Sequence, residues 1–340
     1  MASLNPFLSQ SNAVLFIAEI GGNHEGRYDY AQRLLDLGLQ SGADVVKFQI
    51  YSGDTLVSAV ESPDRNRHFK RFELSREQFI ALAKRCNGAG AMFMASVWDG
   101  EMLEWINPYI RIHKIGSGDL TCYPLIRKLA LTGKPIILST GLASLDEIEA
   151  TVRFVEKVDP GYVSDRKLAL LQCTSAYPCP DEDANLRSME TLMKFGLPVG
   201  YSDHTVGPLA VEAAVAMGAV IIEKHFTDTR EGKDFRDHKV SLTMEEVREL
   251  LPRLRRIANL RGSPDKGLTL AESSAQHELS FRRSVYAARD IVPGERFTEE
   301  NLTVLRPAHG LSAARYDECV GKVAKRAFRR HEVVQESDVV

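Results

Sequence analysis

Cysteine is scarce in this chain, with five in 340 residues (Cys86, Cys122, Cys173, Cys179 and Cys319), odd in number and without a Cys-x-x-Cys pair. That excludes a disulfide frame or a thiolate metal cluster and predicts reduced thiols. Cys173 reads as a core residue. No apolar run approaches the roughly 20 residues that a membrane-spanning helix needs. Residues 1–12 lack the basic start and apolar core of a secretory signal. They read as an unpacked polar lead-in to the first strand, so the expected location is the cytoplasm. An excess of one charge is missing too: 43 Lys and Arg against 46 Asp and Glu leave a formal charge of -3. Nothing attracts nucleic acid globally, and the basic runs at 253–256 and 325–330 read as solvated faces. Any anion must be gripped locally.

What the chain does have is a recurring apolar or β-branched run, at 14–20, 44–49, 91–96, 110–116, 135–140, 168–173, 198–202 and 219–224. Helix-period segments such as 30–40, 76–88 and 145–158 separate these runs. Eight strands alternating with helices predict an α/β fold, a closed (β/α)8 TIM barrel. Gly42, Gly133 and Gly218, just before strands, fit the turns between helix and strand. An open doubly wound sheet is the alternative. It is disfavoured because no Gly-x-Gly-x-x-Gly follows the first strand and because polar residues end nearly every run. The predicted domains are a catalytic barrel over 1–262, a linker over 263–281 and a small, mostly β domain over 282–340. That tail repeats itself: 287–302 aligns with 324–339, placing Ile291 on Phe328 and Glu295 on Glu332. About 60 residues bury too little surface to be robust alone, so the module should pack on a barrel, its own or that of a second subunit.

Parallel barrels keep their chemistry at the C-terminal ends of the strands. There the runs present Glu19, Lys47 with Gln49, Ser96, Lys114 with Ser117, Ser139, Thr174 with Ser175 and Tyr177, Ser202 with His204, and Glu223 with His225. A single His beside a strand end is ordinarily a satisfied polar residue. His204 and His225, in matching contexts on adjacent strands, form half of a metal site. Lysines and hydroxyls, with the amides near Gly116 and Gly141, make a cradle for a phosphate or carboxylate, so a small phosphorylated anion is the expected ligand. Lys47 interrupts an apolar strand, which is costly unless it faces a polar cavity with an anionic partner. Glu19 reads either as a proton-transfer group or as a structural partner of Lys47 or Lys114. His24, in the first loop, either orients a substrate or caps the loop.

Eight motifs occur in order: Ile17-Ala-Glu-Ile-Gly-Gly-Asn-His-Glu-Gly26, Gly42-Ala-Asp-Val-Val-Lys-Phe-Gln49, Lys114-Ile-Gly-Ser-Gly-Asp119, Leu138-Ser-Thr-Gly141, Gln172-Cys-Thr-Ser-Ala-Tyr-Pro178, Gly200-Tyr-Ser-Asp-His-Thr205, Glu223-Lys-His-Phe-Thr227 and Asp237-His-Lys-Val-Ser-Leu242. Over nearly its whole length the chain resembles the sialic acid synthase family, which makes N-acetylneuraminate and related nonulosonates. From Arg282-Arg-Ser284 the tail resembles the antifreeze-like (SAF) domain of that family. The resemblance implies condensation of phosphoenolpyruvate with N-acetylmannosamine or a related N-acetylated hexosamine, giving a nine-carbon 3-deoxy-2-keto acid and phosphate. It implies Mn2+ or Mg2+ on His204 and His225, Glu19 as the proton-transfer carboxylate, and Lys47, Ser96, Lys114, Ser117, Ser139 and Ser202 as phosphoenolpyruvate ligands. Gln49, Ser175, Tyr177 and Asp237 match sugar-contacting positions. It further implies a domain-swapped homodimer in which Arg283, or its neighbour Arg282, reaches the partner's N-acetyl group. The chain departs from the family at Ser175, where many bacterial members have Asn, and at Ser96, which replaces a frequent Thr. The charged loop 229–236 leaves open the acceptor: N-acetylmannosamine, its phosphate, or a diacetamido-dideoxyhexose of the legionaminic or pseudaminic routes. Two other classes stand against this reading, a Schiff-base pyruvate aldolase using a barrel lysine and a non-enzymatic carbohydrate- or ice-binding protein.

Overall fold

The computed structural model describes Phe7 and residues 14–339. The chain divides into two compact units, Met1–Gly262 and Ser263–Val340. In the first, β1 (Leu15–Gly21), β2 (Val45–Ile50), β3 (Met92–Val97), β4 (His113–Ile115), β5 (Ile136–Ser139), β6 (Leu168–Cys173), β7 (Val199–Asp203) and β8 (Ile221–His225) pair in chain order, and β8 returns to β1 to close a parallel barrel.

Strand side chains alternate between faces, and here the two faces carry different cores. Phe16, Val46, Phe93, Leu138, Leu170 and Ile222 point outward to the helices. Leu15, Ile17, Val45, Met94, Ile112, Ile137, Ala169, Leu171 and Ile221 fill the lower interior. Gly200 belongs to this layer for want of space, since a Cβ there would stand 2.3 Å from the Ile221 carbonyl and 2.5 Å from Leu171.

The helices follow from local signals. Leu145–Val158 starts at a capping box, in which Ser144 and Glu147 satisfy each other's backbone N–H. Its buried Ile148, Thr151, Val152 and Val155 recur at helical spacing and face the sheet. Burying an aliphatic side chain such as Val155 contributes about 2 kcal/mol, so a charge there would undock the helix. Tyr28–Ser41 ends at Gly42, whose φ of 83° is left-handed.

One strand is shorter than expected, and two segments carry local structure that their sequence does not announce. The fourth strand is only His113–Ile115 rather than 110–116: a 3-10 turn over Asn107–Tyr109 leads into it, and the Lys134 ammonium takes the Ile110 carbonyl at 2.7 Å. The expected polar lead-in over 1–12 lies outside the described residues apart from Phe7, which is buried and packs into the lower interior core. The stretch expected to be a linker carries two short helices, Leu270–Ser274 and His277–Phe281. At five residues each they show no periodicity; their one legible signal is the Thr269–Glu272 capping box.

In the second unit β9 (Ser284–Ala287) pairs antiparallel with β10 (Leu302–Leu305), over a core that includes Val285, Phe297, Phe328 and Val334. The sequence repeat is a structural one. Ile291 and Phe328 exchange reciprocal N–H to C=O bonds, both 2.9 Å. Arg289 pairs with Glu295 as Arg326 does with Glu332, and Asn301 caps the Thr298 amide as Asp338 caps that of Gln335.

Candidate active site

Two residues beyond the dry layer, the same strands present Glu19, Lys47, Ser96, Lys114, Ser139, Cys173, Ser202 and Glu223 to the interior, and all of them line a cavity of about 1260 Å³ at the C-terminal end of the barrel. Lys47 bridges two carboxylates, 2.8 Å from Glu19 and 3.0 Å from Glu223. Lys114 lies 3.3 Å from Glu223 and donates to the Ser139 hydroxyl at 2.7 Å. The Ser202 hydroxyl donates to Glu223 at 2.7 Å, and Gln49 donates to Glu19 at 2.9 Å.

The surroundings split the two glutamates. Burial pushes the Glu19 carboxyl up, the Glu223 charge adds to this, and Lys47 opposes it. Burial acts on Glu223 in the same sense, but the Lys114 and Lys47 ammoniums and the Ser202 hydroxyl hold it well below the usual carboxylate range. Burial also pulls on both lysines: Glu19 and Glu223 more than offset it at Lys47, whereas Lys114 ends below its ordinary value. Paired carboxyls with divergent proton affinities mark acid and base roles. Both ammoniums also line the cavity, within reach of an incoming anion.

Above this floor stand His204 and His225, ring centroids 5.4 Å apart. The Nδ1 of His204 lies 2.8 Å from the Thr174 carbonyl, which only accepts, so Nδ1 carries a proton; burial lowers the ring's proton affinity, but the Cys173 side chain and that carbonyl more than offset it and leave His204 above its ordinary value. Burial, with His204 adding to it, holds His225 well below the usual imidazole range and so neutral at pH 7. Its buried Nδ1 has no hydrogen-bond partner among the described residues. Two imidazoles at this separation, His204 giving up a proton to the solvent on binding, would suit one divalent cation about 2 Å from a nitrogen of each ring. Among the described residues no group of three or more His, Cys, Asp or Glu is spaced for a metal. Oxygens of water and substrate would therefore complete the shell, which favours exchangeable Mn2+ or Mg2+.

The profile of the NeuB family matches residues 34–266, and that of the SAF domain matches 282–340. The chain belongs to the NeuB family. It is 38% identical over 340 residues to N,N'-diacetyllegionaminic acid synthase of Campylobacter jejuni, covering 95% of this chain and 99% of that one. Human N-acetylneuraminate-9-phosphate synthase is 33% identical over 302 residues, 85% of this chain and 82% of its own. Among solved structures, the sialic acid synthetase of Leptospira borgpetersenii in complex with citrate matches with a TM-score of 0.72 and 32% identity, over 78% of this chain and 91% of that one. The resemblance read from the eight motifs is therefore the family found, and the chain is an enzyme of the NeuB type. No helix among the described residues is long and apolar enough to cross a membrane.

The NeuB barrel brings Glu19, Lys47, Gln49, Ser96, Lys114, Ser117, Ser139, Ser175, Tyr177, Ser202, His204, His225 and Asp237 to this one cavity. Ser117 accepts the Gly141 amide at 3.0 Å, and Tyr177 lies 4.0 Å from the His204 ring. Asp237 is buried beside Arg236, 3.2 Å away, and burial pushes its carboxyl up. Arg283 lies in the second unit, where it is exposed and donates to the Val304 carbonyl at 3.2 Å. His24 caps its loop, with Nδ1 accepting the Gly26 amide at 3.1 Å.

Sequence reasoning missed three features. Cys173, read as core, lines the cavity with its Sγ 3.8 Å from His204 Nδ1. Glu223, noted only for its charge, is the ion to which both floor lysines turn. Phe72 and Phe235, with ring centroids 4.9 Å apart, wall the cavity mouth. Adjacent glycines let floor and wall meet: a Cβ on Gly21 would stand 3.2 Å from Glu19 and 3.4 Å from His225, and one on Gly22 3.1 Å from Phe235. Gly21, at φ 55°, also needs its conformational freedom.

Proposed function

We propose that this protein is a nonulosonate synthase, condensing phosphoenolpyruvate with the aldehyde of an N-acetylated hexosamine, N-acetylmannosamine or a close relative. The observation that carries the reading is the buried Lys47–Glu223–Lys114 group on the floor of an open cavity that the His204–His225 pair also lines. Buried ion pairs are weak contributors to stability, and one left facing a cavity is arranged for a ligand. In this reading Lys47, Lys114 and the hydroxyls of Ser96, Ser117, Ser139 and Ser202 hold the phosphate and carboxylate of phosphoenolpyruvate. Gln49, Ser175, Tyr177 and Asp237 orient the sugar. A divalent cation on His204 and His225 would polarise the aldehyde oxygen.

The C2–C3 π electrons of the enol form the new bond from C3 to the aldehyde carbon, and the aldehyde oxygen becomes a hydroxyl by taking a proton. Glu19, whose carboxyl burial pushes up and which lines the cavity, would supply it. Water then adds at C2 and gives up a proton, and collapse of that centre to the ketone breaks the C–O bond and expels phosphate with the bridging oxygen.

For the acceptor, the Phe72–Phe235 wall favours a second reading, a diacetamido-dideoxyhexose presenting a deoxygenated end. The relative from Campylobacter jejuni, a diacetyllegionaminic acid synthase, agrees with it.

The decisive assay follows phosphate release from phosphoenolpyruvate labelled with 18O at the bridge, with each acceptor and Mn2+. Release that needs an amino-sugar aldehyde, with the label in phosphate, is expected. Borohydride trapping of pyruvate on Lys114 or Lys47 would instead show a Schiff-base aldolase. His225→Ala should lose about 10²–10³-fold in turnover with its fold intact; wild-type rates would remove the metal role.

A further inference from the structure

One buried charged pair is unused by the chemistry above, although one of its members, Asp203, contributes to the cavity lining. Asp203 and Lys224 face each other across the β7–β8 register, on the outer side of the barrel wall, and both side chains are 0% exposed. The residue after each is one of the paired histidines. Lys224 Nζ donates to Asp203 Oδ2 at 2.5 Å and to the Thr205 carbonyl at 2.6 Å. Asp203 also accepts the Tyr201 hydroxyl at 3.0 Å, the Thr205 amide at 2.9 Å and the Thr205 hydroxyl at 3.2 Å.

These bonds straddle His204. The carboxylate of the residue before it holds the amide and hydroxyl of the residue after it, and the ammonium from the neighbouring strand holds the carbonyl of that same residue. The His204 backbone is thereby pinned on both sides to the strand that carries His225. The Thr174 carbonyl fixes the remaining freedom, the turn of the ring. A fully buried ion pair is poor evidence for stability, because desolvation cancels most of its attraction, and holding a register is its best-attested use. Groups that orient metal ligands from behind typically change metal affinity 10- to 100-fold when removed.

We propose that Lys224 and Asp203 are positioning residues that set His204 against His225 at the separation a shared divalent cation requires. This rests on the metal role proposed above.

The test titrates Mn2+ into the metal-free full chain, following free Mn2+ by electron paramagnetic resonance, and measures phosphoenolpyruvate affinity calorimetrically on the same samples. Removing both charges together, Asp203→Asn with Lys224→Met, leaves no unpaired ion in the core. In that protein the Kd for Mn2+ should rise about 10- to 100-fold while the Kd for phosphoenolpyruvate stays within twofold. A pair acting only as structural glue would lower the unfolding midpoint and leave Mn2+ affinity of the folded protein unchanged, and that result overturns the proposal. If the double variant fails to fold, Tyr201→Phe, which removes only one bond to Asp203, decides: a several-fold weaker Mn2+ Kd supports the clamp, and an unaltered one refutes it. Wild-type protein whose Mn2+ binding is indifferent to His225→Ala would overturn the metal role itself and the clamp with it. Binding lost in His225→Ala but retained in the double variant would overturn the clamp alone.

Discussion

In the lower interior of the barrel Ile17, Val45, Ile112, Ile137 and Ile221 pack against one another. On the same strands, two residues further on, Glu19, Lys47, Lys114, Ser139 and Glu223 meet around a cavity. The chain runs in the same direction through both layers, and the character of its inward side chains changes from one to the next. The lower layer removes apolar surface from water and holds the strands together. The upper layer spends part of that stability on keeping charges in fixed places for a ligand. The contrast locates where a substitution acts: below, it should change stability, and above, chemistry.

Carrying the lower chemistry upward is the harshest way to break the contrast. Lys47→Met would leave Glu19 and Glu223 facing each other without their shared cation. It should cost roughly 3–5 kcal/mol of stability and about 10²–10³ in kcat/KM; near-normal steady-state rates would show that Lys47 only fills space. The reciprocal change, Ile137→Ala in the dry layer, should cost about 2–5 kcal/mol in urea unfolding and leave kcat within twofold. A large loss of kcat there would mean the layers are not independent.

Acid sharpens the comparison with two buried histidines, His24 above the upper layer and His113 on the outer face beside the lower one. Burial lowers His24 to about 4. Burial, with Lys134 adding, does the same to His113, also to about 4. Both folded values lie below the unfolded value of about 6.5. The unfolded chain therefore takes up protons first as the pH falls, so this stability is full above about 6.5 and is lost progressively toward 4. Each group accounts for roughly 3 kcal/mol over that window. His113→Gln should flatten the dependence of unfolding free energy on pH between 6.5 and 5; an unchanged slope would remove His113 from the account.

Much of this was legible in the chain. The eight apolar runs mark the strands because a strand buried on both faces tolerates little else, and Glu19 and Lys47 stand out because they interrupt such runs. His204 and His225 are visible as a pair through their matching strand-end contexts. Cys173 is not, because a thiol ending an apolar run reads as one more hydrophobe until the fold sets it beside His204. Phe72 and Phe235 come from separate excursions between barrel elements, where no periodicity operates, and only folding brings them together. The Asp203–Lys224 pair is hidden for another reason: alternation predicts which way each residue points, but not which charge the neighbouring strand sets opposite.

The mirrored halves of the second unit carry a lesson about origins. Ile291 needs the Phe328 carbonyl for its amide, and Phe328 needs that of Ile291. One half by itself is an unfinished object whose natural completion is another of its own kind. Linked in tandem, the halves meet at a local concentration set by a short connection rather than by abundance in the cell, so a pairing that separate pieces would reach by collision becomes an ordinary step of chain folding.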